Sequence, residues 1–107
     1  MTYRVELVYD RDCPNVDAAR AALRCACAVM GIAPTWEEWD RNARDSPGHV
    51  RGYGSPTILV NGQDVAGVEP NASAECCRLY RGDDGGLRGV PPVEQIVAAM
   101  KKSALEH

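Results

Sequence analysis

Hydrophobic and polar positions alternate from the start of the chain, with Tyr3, Val5, Leu7 and Tyr9 set against Arg4, Glu6 and Val8. A two-residue period rich in β-branched and aromatic side chains predicts a strand over Tyr3–Tyr9. After "DRDC" the period changes: Val16, Ala19, Leu23, Ala26, Cys27 and Met30 fall at offsets 0, 3, 7, 10, 11 and 14, one face of a helix. Pro14 suits the first turn of that helix, and Gly31 suits its C-cap. "APTWEEWD" predicts a second strand around Thr35–Asp40, and "DSPGHVRGYG" leaves room for one or two helical turns at most. In "SPTILVNGQDVAG", Asn61-Gly62 joins two β runs and predicts a two-residue type I′ hairpin. The stretch "VEPNASAECCRLYRGDDGGLRG" has no sustained period; a short helix near Ala72–Tyr80 and a mobile "RGDDGG" tip are expected. Val93, Ile96, Val97 and Met100 then mark a closing helix, with Glu94 in its first turn and Lys101 and Lys102 near its end.

The element order is therefore β-α-β, a short link, then β-β-α. A helical crossover between parallel strands, followed by an antiparallel hairpin, gives an α/β domain: one mixed four-stranded sheet flanked by helices. A chain of 107 residues suits a single domain, read as 1–104, and Leu105–His107 has the look of an expression-tag remnant. The core must be built without Phe.

Charge narrows the function. The net charge is -3 with acids and bases interspersed, so there is no basic footprint for nucleic acid or anionic lipid. No apolar run approaches the length of a membrane span, and the first residues carry no secretory pattern, so a cytoplasmic monomer is expected. Five cysteines, an odd number, argue against a disulfide framework and for reactive thiols, metal ligands or buried filler.

Cys13 stands at the strand-to-helix junction, followed by Pro14. Outward N–H groups at a helix start favour the thiolate, the nucleophilic form, and Arg11 adds a positive charge. Asp10 and Asp12 oppose it. Cys27 falls on the apolar face and reads as core filler, whereas Cys25 points the other way, so the two do not form a metal pair. Cys76 and Cys77 are adjacent; one of them is a candidate resolving thiol for Cys13, with space-filling as the plainer alternative. His49 reads as a solvated loop histidine, with a base or ligand role as the alternative. Arg51 and Tyr53 lie beside it and read as surface packing, with a role in positioning an anionic or peptide group as the alternative. "RGDDGG" lacks the spacing of a calcium loop.

The motifs "VELVYDRDCPNV", "GSPTILVNGQDVAG" and "PPVEQIVAAM" together resemble the thioredoxin-like superfamily, glutaredoxins in particular. The combination of "CPNV", "RGYGSPTILVNG" and "CCR" is similar to a bacterial thioredoxin-like family described as selenoprotein-related, with cysteine at the selenocysteine position. The resemblance implies a cis bond before Pro56, with Ser55, Pro56, Pro14, Arg11 and Tyr53 forming the substrate rim beside Cys13. It also implies a thiol-dependent redox protein acting on a disulfide or peroxide-type substrate, either a small thiol or a protein disulfide. Val16 replaces the second cysteine of Cys-x-x-Cys, so Cys13 is expected to act as a monothiol, or with Cys76 or Cys77. No resident cofactor is expected; glutathione is the candidate co-substrate, although "AGVEPN" keeps only Gly67 of the family's glutathione segment. Two other functions fit the same residues. One is soft-metal or organomercurial handling by Cys13 with Cys76 or Cys77 and a nearby Asp. The other is a non-catalytic binding module.

Overall fold

The computed structural model describes residues 4–69, 78–82 and 84–105. Strand β1 (Val5–Tyr9) leads through a turn into helix α1 (Val16–Met30), and β2 (Glu37–Asp40) returns parallel to β1. A 3₁₀ turn at Gly48–Val50 precedes β3 (Thr57–Val60) and β4 (Gln63–Asp64). A small hairpin, β5 (Tyr80–Arg81) with β6 (Leu87–Arg88), precedes helix α2 (Val93–Leu105). The main sheet has the order β2-β1-β3-β4, with β1 antiparallel to β3 and β3 antiparallel to β4.

The alternation read from β1 is what divides the core. Val5 and Leu7 of β1 and Ile58 and Val60 of β3 pack with Ala19, Leu23, Cys27, Ile96 and Met100 of the two helices. Val8 and Leu59 face the other way and pack with Val50 and Tyr53. Both helices therefore cover one face of the sheet, rather than flanking it on two sides as the sequence reading expected. The reason is local: residues 41–56, between β2 and β3, are too broken by Gly and Pro for a helix, so their apolar side chains close the second face directly. With cover on both sides, β3 is buried along its whole length.

Local chemistry sets the element ends. Gly31 adopts φ 69° and donates to Ala28 O, which closes α1. Asn61 and Gly62 take φ 51° and 83°, the two left-handed positions of the type I′ turn. Other boundaries move. Helix α1 begins at Val16, so Pro14 lies in the preceding turn rather than in the first helical turn. Strand β2 begins at Glu37, two residues after Thr35. Of the helix expected near Ala72–Tyr80, residues 72–77 lie outside the described residues, and Tyr80 belongs to β5 instead. The "RGDDGG" tip is the turn of a hairpin: Asp84 accepts from Gly86 N–H at 2.9 Å and from the Arg88 guanidinium at 2.9 Å, which folds the two short strands together.

A carboxylate lies on the second face of the sheet, beneath the loop that covers it. Glu6 is fully buried between Val5 and Leu7, and its Oε2 accepts from Trp39 Nε1 at 2.8 Å. His49 Nε2 lies 2.7 Å from the same oxygen, and since a carboxylate accepts, the ring carries its proton on Nε2. The Arg4 guanidinium approaches at 3.6 Å. His49 is thus not a free loop histidine; it ties the 3₁₀ turn to β1. His49→Ala is expected to lower stability by roughly 1–3 kcal/mol, the cost of depriving a buried acceptor of a donor. Urea unfolding of the two proteins checks it, and an unchanged midpoint counts against this role.

Candidate functional site

The turn after β1 is built on its own backbone. Cys13 N–H donates to Asp10 O at 2.8 Å, and Asp12 N–H donates to the Asp10 carboxylate at 3.0 Å. That hydrogen bond, helped by Asn42 and Arg41, holds the Asp10 carboxyl below the usual carboxylate range, so an anion stands beside the thiol. Cys13 is partly buried and packs against the helix-side core. It precedes the first residue of α1 by three positions, in the turn rather than on the helix. Gly89, in the segment joining β6 to α2, lies so close to this turn that a Cβ there would stand 2.2 Å from Asn15 Nδ2.

Two loops meet at this turn. Asp10 N–H donates to Ser55 Oγ at 2.8 Å, and the Ser55–Pro56 peptide is cis. Ser55 is fully buried, and its carbonyl accepts from Arg78 N–H at 2.9 Å. Tyr80 donates its hydroxyl to Pro56 O at 2.5 Å. Burial pushes the Tyr80 hydroxyl far above its ordinary pKa, with Asp64 and Cys13 adding in the same direction, so it stays a donor.

Arg78 anchors the whole arrangement. Its guanidinium donates to Thr57 Oγ1 at 2.9 Å and to Asp64 Oδ2 at 3.0 Å, and it lies over the Tyr80 ring, 4.4 Å from the centroid. The Arg78 side chain is 14% exposed and that of Asp64 0%, so this ion pair is shielded from solvent. Thr57 passes the chain of hydrogen bonds on, donating to Gly54 O at 2.7 Å.

Of the residues expected at the rim, Ser55 and Pro56 meet the Cys13 turn, and Pro14 is exposed within it. Arg11 points outward: its side chain is 79% exposed and reaches Asp40 at 3.7 Å. Tyr53 packs with Val8, Val50 and Leu59 on the sheet face opposite the helices, whereas Cys13 packs on the helix side. It is a packing residue there, because the loop carrying it has to cover a face that lacks a helix. Arg51 donates to the carbonyls of Ala43, Arg44 and Ser46, which orders its own loop rather than a ligand. Cys76 and Cys77 lie outside the described residues. Cys25 is exposed on α1, and Cys27 is buried, with its thiol pKa raised by that burial. Among the described residues, no group of three His, Cys, Asp or Glu side chains is arranged to hold a metal ion, and no helix is long and apolar enough to cross a membrane.

The sequence reading missed Arg78, Tyr80 and Asp64, which do most to hold the Ser55–Pro56 loop in place. Their signal was slight: an acid at the end of a two-residue strand, and an arginine and a tyrosine in a stretch without period. A separate concavity of about 460 Å³ lies between β4 and α2, lined by Gln63, Asp64, Gln95 and Lys102 among others, and does not include Cys13. No protein-family model, curated protein or solved structure matches the chain.

Arg78→Ala would strand the buried Asp64 carboxylate. The expected loss is about 3 kcal/mol of stability, the scale for removing one partner of a buried ion pair. Chemical denaturation with far-UV circular dichroism checks it, and a loss no larger than that of an exposed Arg24→Ala control contradicts the anchoring role.

Proposed function

We propose that this is a thiol-dependent redox protein of thioredoxin-like, glutaredoxin-like architecture, with Cys13 as a monothiol nucleophile. The observation that carries the reading is the meeting of the Cys13 turn with the cis Ser55–Pro56 peptide through the Asp10–Ser55 hydrogen bond. A partly exposed thiol, held at the end of a central strand and framed by a second rigid loop, is in the position a nucleophile needs. The mixed sheet, with its helical crossover and its hairpin, is consistent with that architecture.

In the proposed reaction the Cys13 thiolate attacks one sulfur of a disulfide. The bond between the two substrate sulfurs breaks, the electron pair leaves with the other sulfur as a thiolate, and Cys13 is left in a mixed disulfide. A small thiol such as glutathione then attacks the substrate sulfur of that mixed disulfide, the Cys13 thiolate leaves with the electron pair, and the starting state is restored. Where one of Cys76 and Cys77 is the second group, it attacks the Cys13 sulfur, the substrate leaves as thiolate, and two equivalents of a small thiol reduce the internal disulfide that remains. Arg78, next in sequence after Cys77, is bonded to Ser55, which supports including those two cysteines among the candidates.

The chain carries its own controls for the test. Limiting iodoacetamide near neutral pH, followed by peptide mapping, should modify Cys13 faster than the exposed Cys25 and leave the buried Cys27 unmodified until the protein unfolds. If Cys13 reacts no faster than Cys25, the nucleophile assignment is wrong.

A further inference from the structure

We infer that Cys13 serves low-molecular-weight disulfides and not a peptide bound in extended form, because the chain's own Arg78–Tyr80 stretch occupies the backbone positions beside the thiol where such a peptide would pair. The inference rests on the thiol chemistry proposed above and narrows its substrate class.

An extended peptide gains affinity on a sheet rim through backbone groups that have no partner within the protein. Here the two carbonyl acceptors of the loop are taken. The Ser55 carbonyl receives Arg78 N–H, and the Pro56 carbonyl receives the Tyr80 hydroxyl. Pro56 has no N–H to offer. Thr57 is already paired with Val8 of β1, and its hydroxyl joins Gly54 O to the Arg78 guanidinium. The occupying stretch is also hard to displace. Arg78 is fixed by the buried Asp64 carboxylate and stacked on Tyr80, so a peptide entering its place would leave a charged group in the core without its counter-charge. A small disulfide needs none of these rim groups; it needs only a path to the partly exposed Cys13 sulfur. The step is the exchange written above: one sulfur of the small disulfide bonds to Cys13, the other departs as thiolate with the electron pair, and a small thiol completes the cycle.

The test uses the full chain in its reduced form with two disulfides that share a leaving group. One is bis(2-hydroxyethyl) disulfide, and the other is an unstructured peptide whose central cysteine is disulfide-bonded to 2-mercaptoethanol. Rates of modification at Cys13, followed by mass spectrometry, are each divided by the rate of N-acetylcysteine with the same compound. The normalised rate with the peptide should be lower by roughly tenfold or more, and Arg78→Ala should narrow the gap to about threefold, since the rim then opens. Hydrogen exchange in the wild type supplies a readout independent of whether that variant folds: the Arg78 amide should be protected. Equal normalised rates in the wild type, or an Arg78 amide exchanging at the unprotected rate, would overturn the inference while leaving Cys13 a nucleophile. A Cys13 that reacts no faster than N-acetylcysteine with the small disulfide overturns the thiol reading itself, and this inference with it.

Discussion

The ion pair between Arg78 and Asp64 holds together parts of the chain that otherwise have little reason to meet. Asp64 belongs to a strand of two residues at the sheet edge, and Arg78 precedes a hairpin strand of the same length. Neither element has enough ladder hydrogen bonds to fix its place. Two charges removed from water, with Arg78 also bonded to Thr57 Oγ1 and Asp64 Oδ2 also accepting from Val68 N–H, tolerate little displacement, and that intolerance gives the segment its position. From Arg78 the ties run to Thr57 and Ser55, with Tyr80 reaching Pro56, and through the Ser55 hydroxyl to the turn that carries Cys13. The setting of the thiol thus depends on a salt bridge formed around residues far from it in sequence.

Regular elements were legible where burial imposes a period. Helix α1 was readable because its apolar stripe and its closing Gly31 agree, and the β3–β4 hairpin because Asn61-Gly62 is tied to one turn geometry. The placement of both helices on one face was not legible. Periodicity says that a helix has an apolar side but not which face of the sheet receives it, and the second face is closed by Val50 and Tyr53 from a stretch with no period at all. The β5–β6 hairpin escaped for a similar reason: two residues per strand carry no alternation around the Asp84-Gly85 turn signal, so nothing in the sequence marks the strands that it joins.

The candidate site divides along the same line. Cys13 stood out because its place between a strand and a helix is a sequence feature, and Pro56 because it opens a clear β run. What surrounds them depends on long-range contacts. Glu6 read as an ordinary outward position of an alternating strand, yet it is buried and held by Trp39 and His49. Its partners come from the strand and turn that fold over it, at separations of 33 and 43 residues. Tyr53 and Arg51 were drawn towards the substrate rim by nearness in sequence to Pro56, whereas packing and carbonyl contacts assign them to their own loop.

The sheet also has two outer edges, and each is protected from pairing with another chain. On one side β2 is a strand of four residues carrying Glu37, Glu38 and Asp40, so a like strand docking beside it would bring carboxylates together. On the other, β4 ends after two residues and its acid is drawn inward to Arg78. Short edges and acidic side chains are the features that discourage edge-to-edge aggregation. With Cys25 exposed and Cys13 partly so, this has a chemical consequence: molecules that do not associate through their sheets seldom bring their cysteines close enough to become cross-linked.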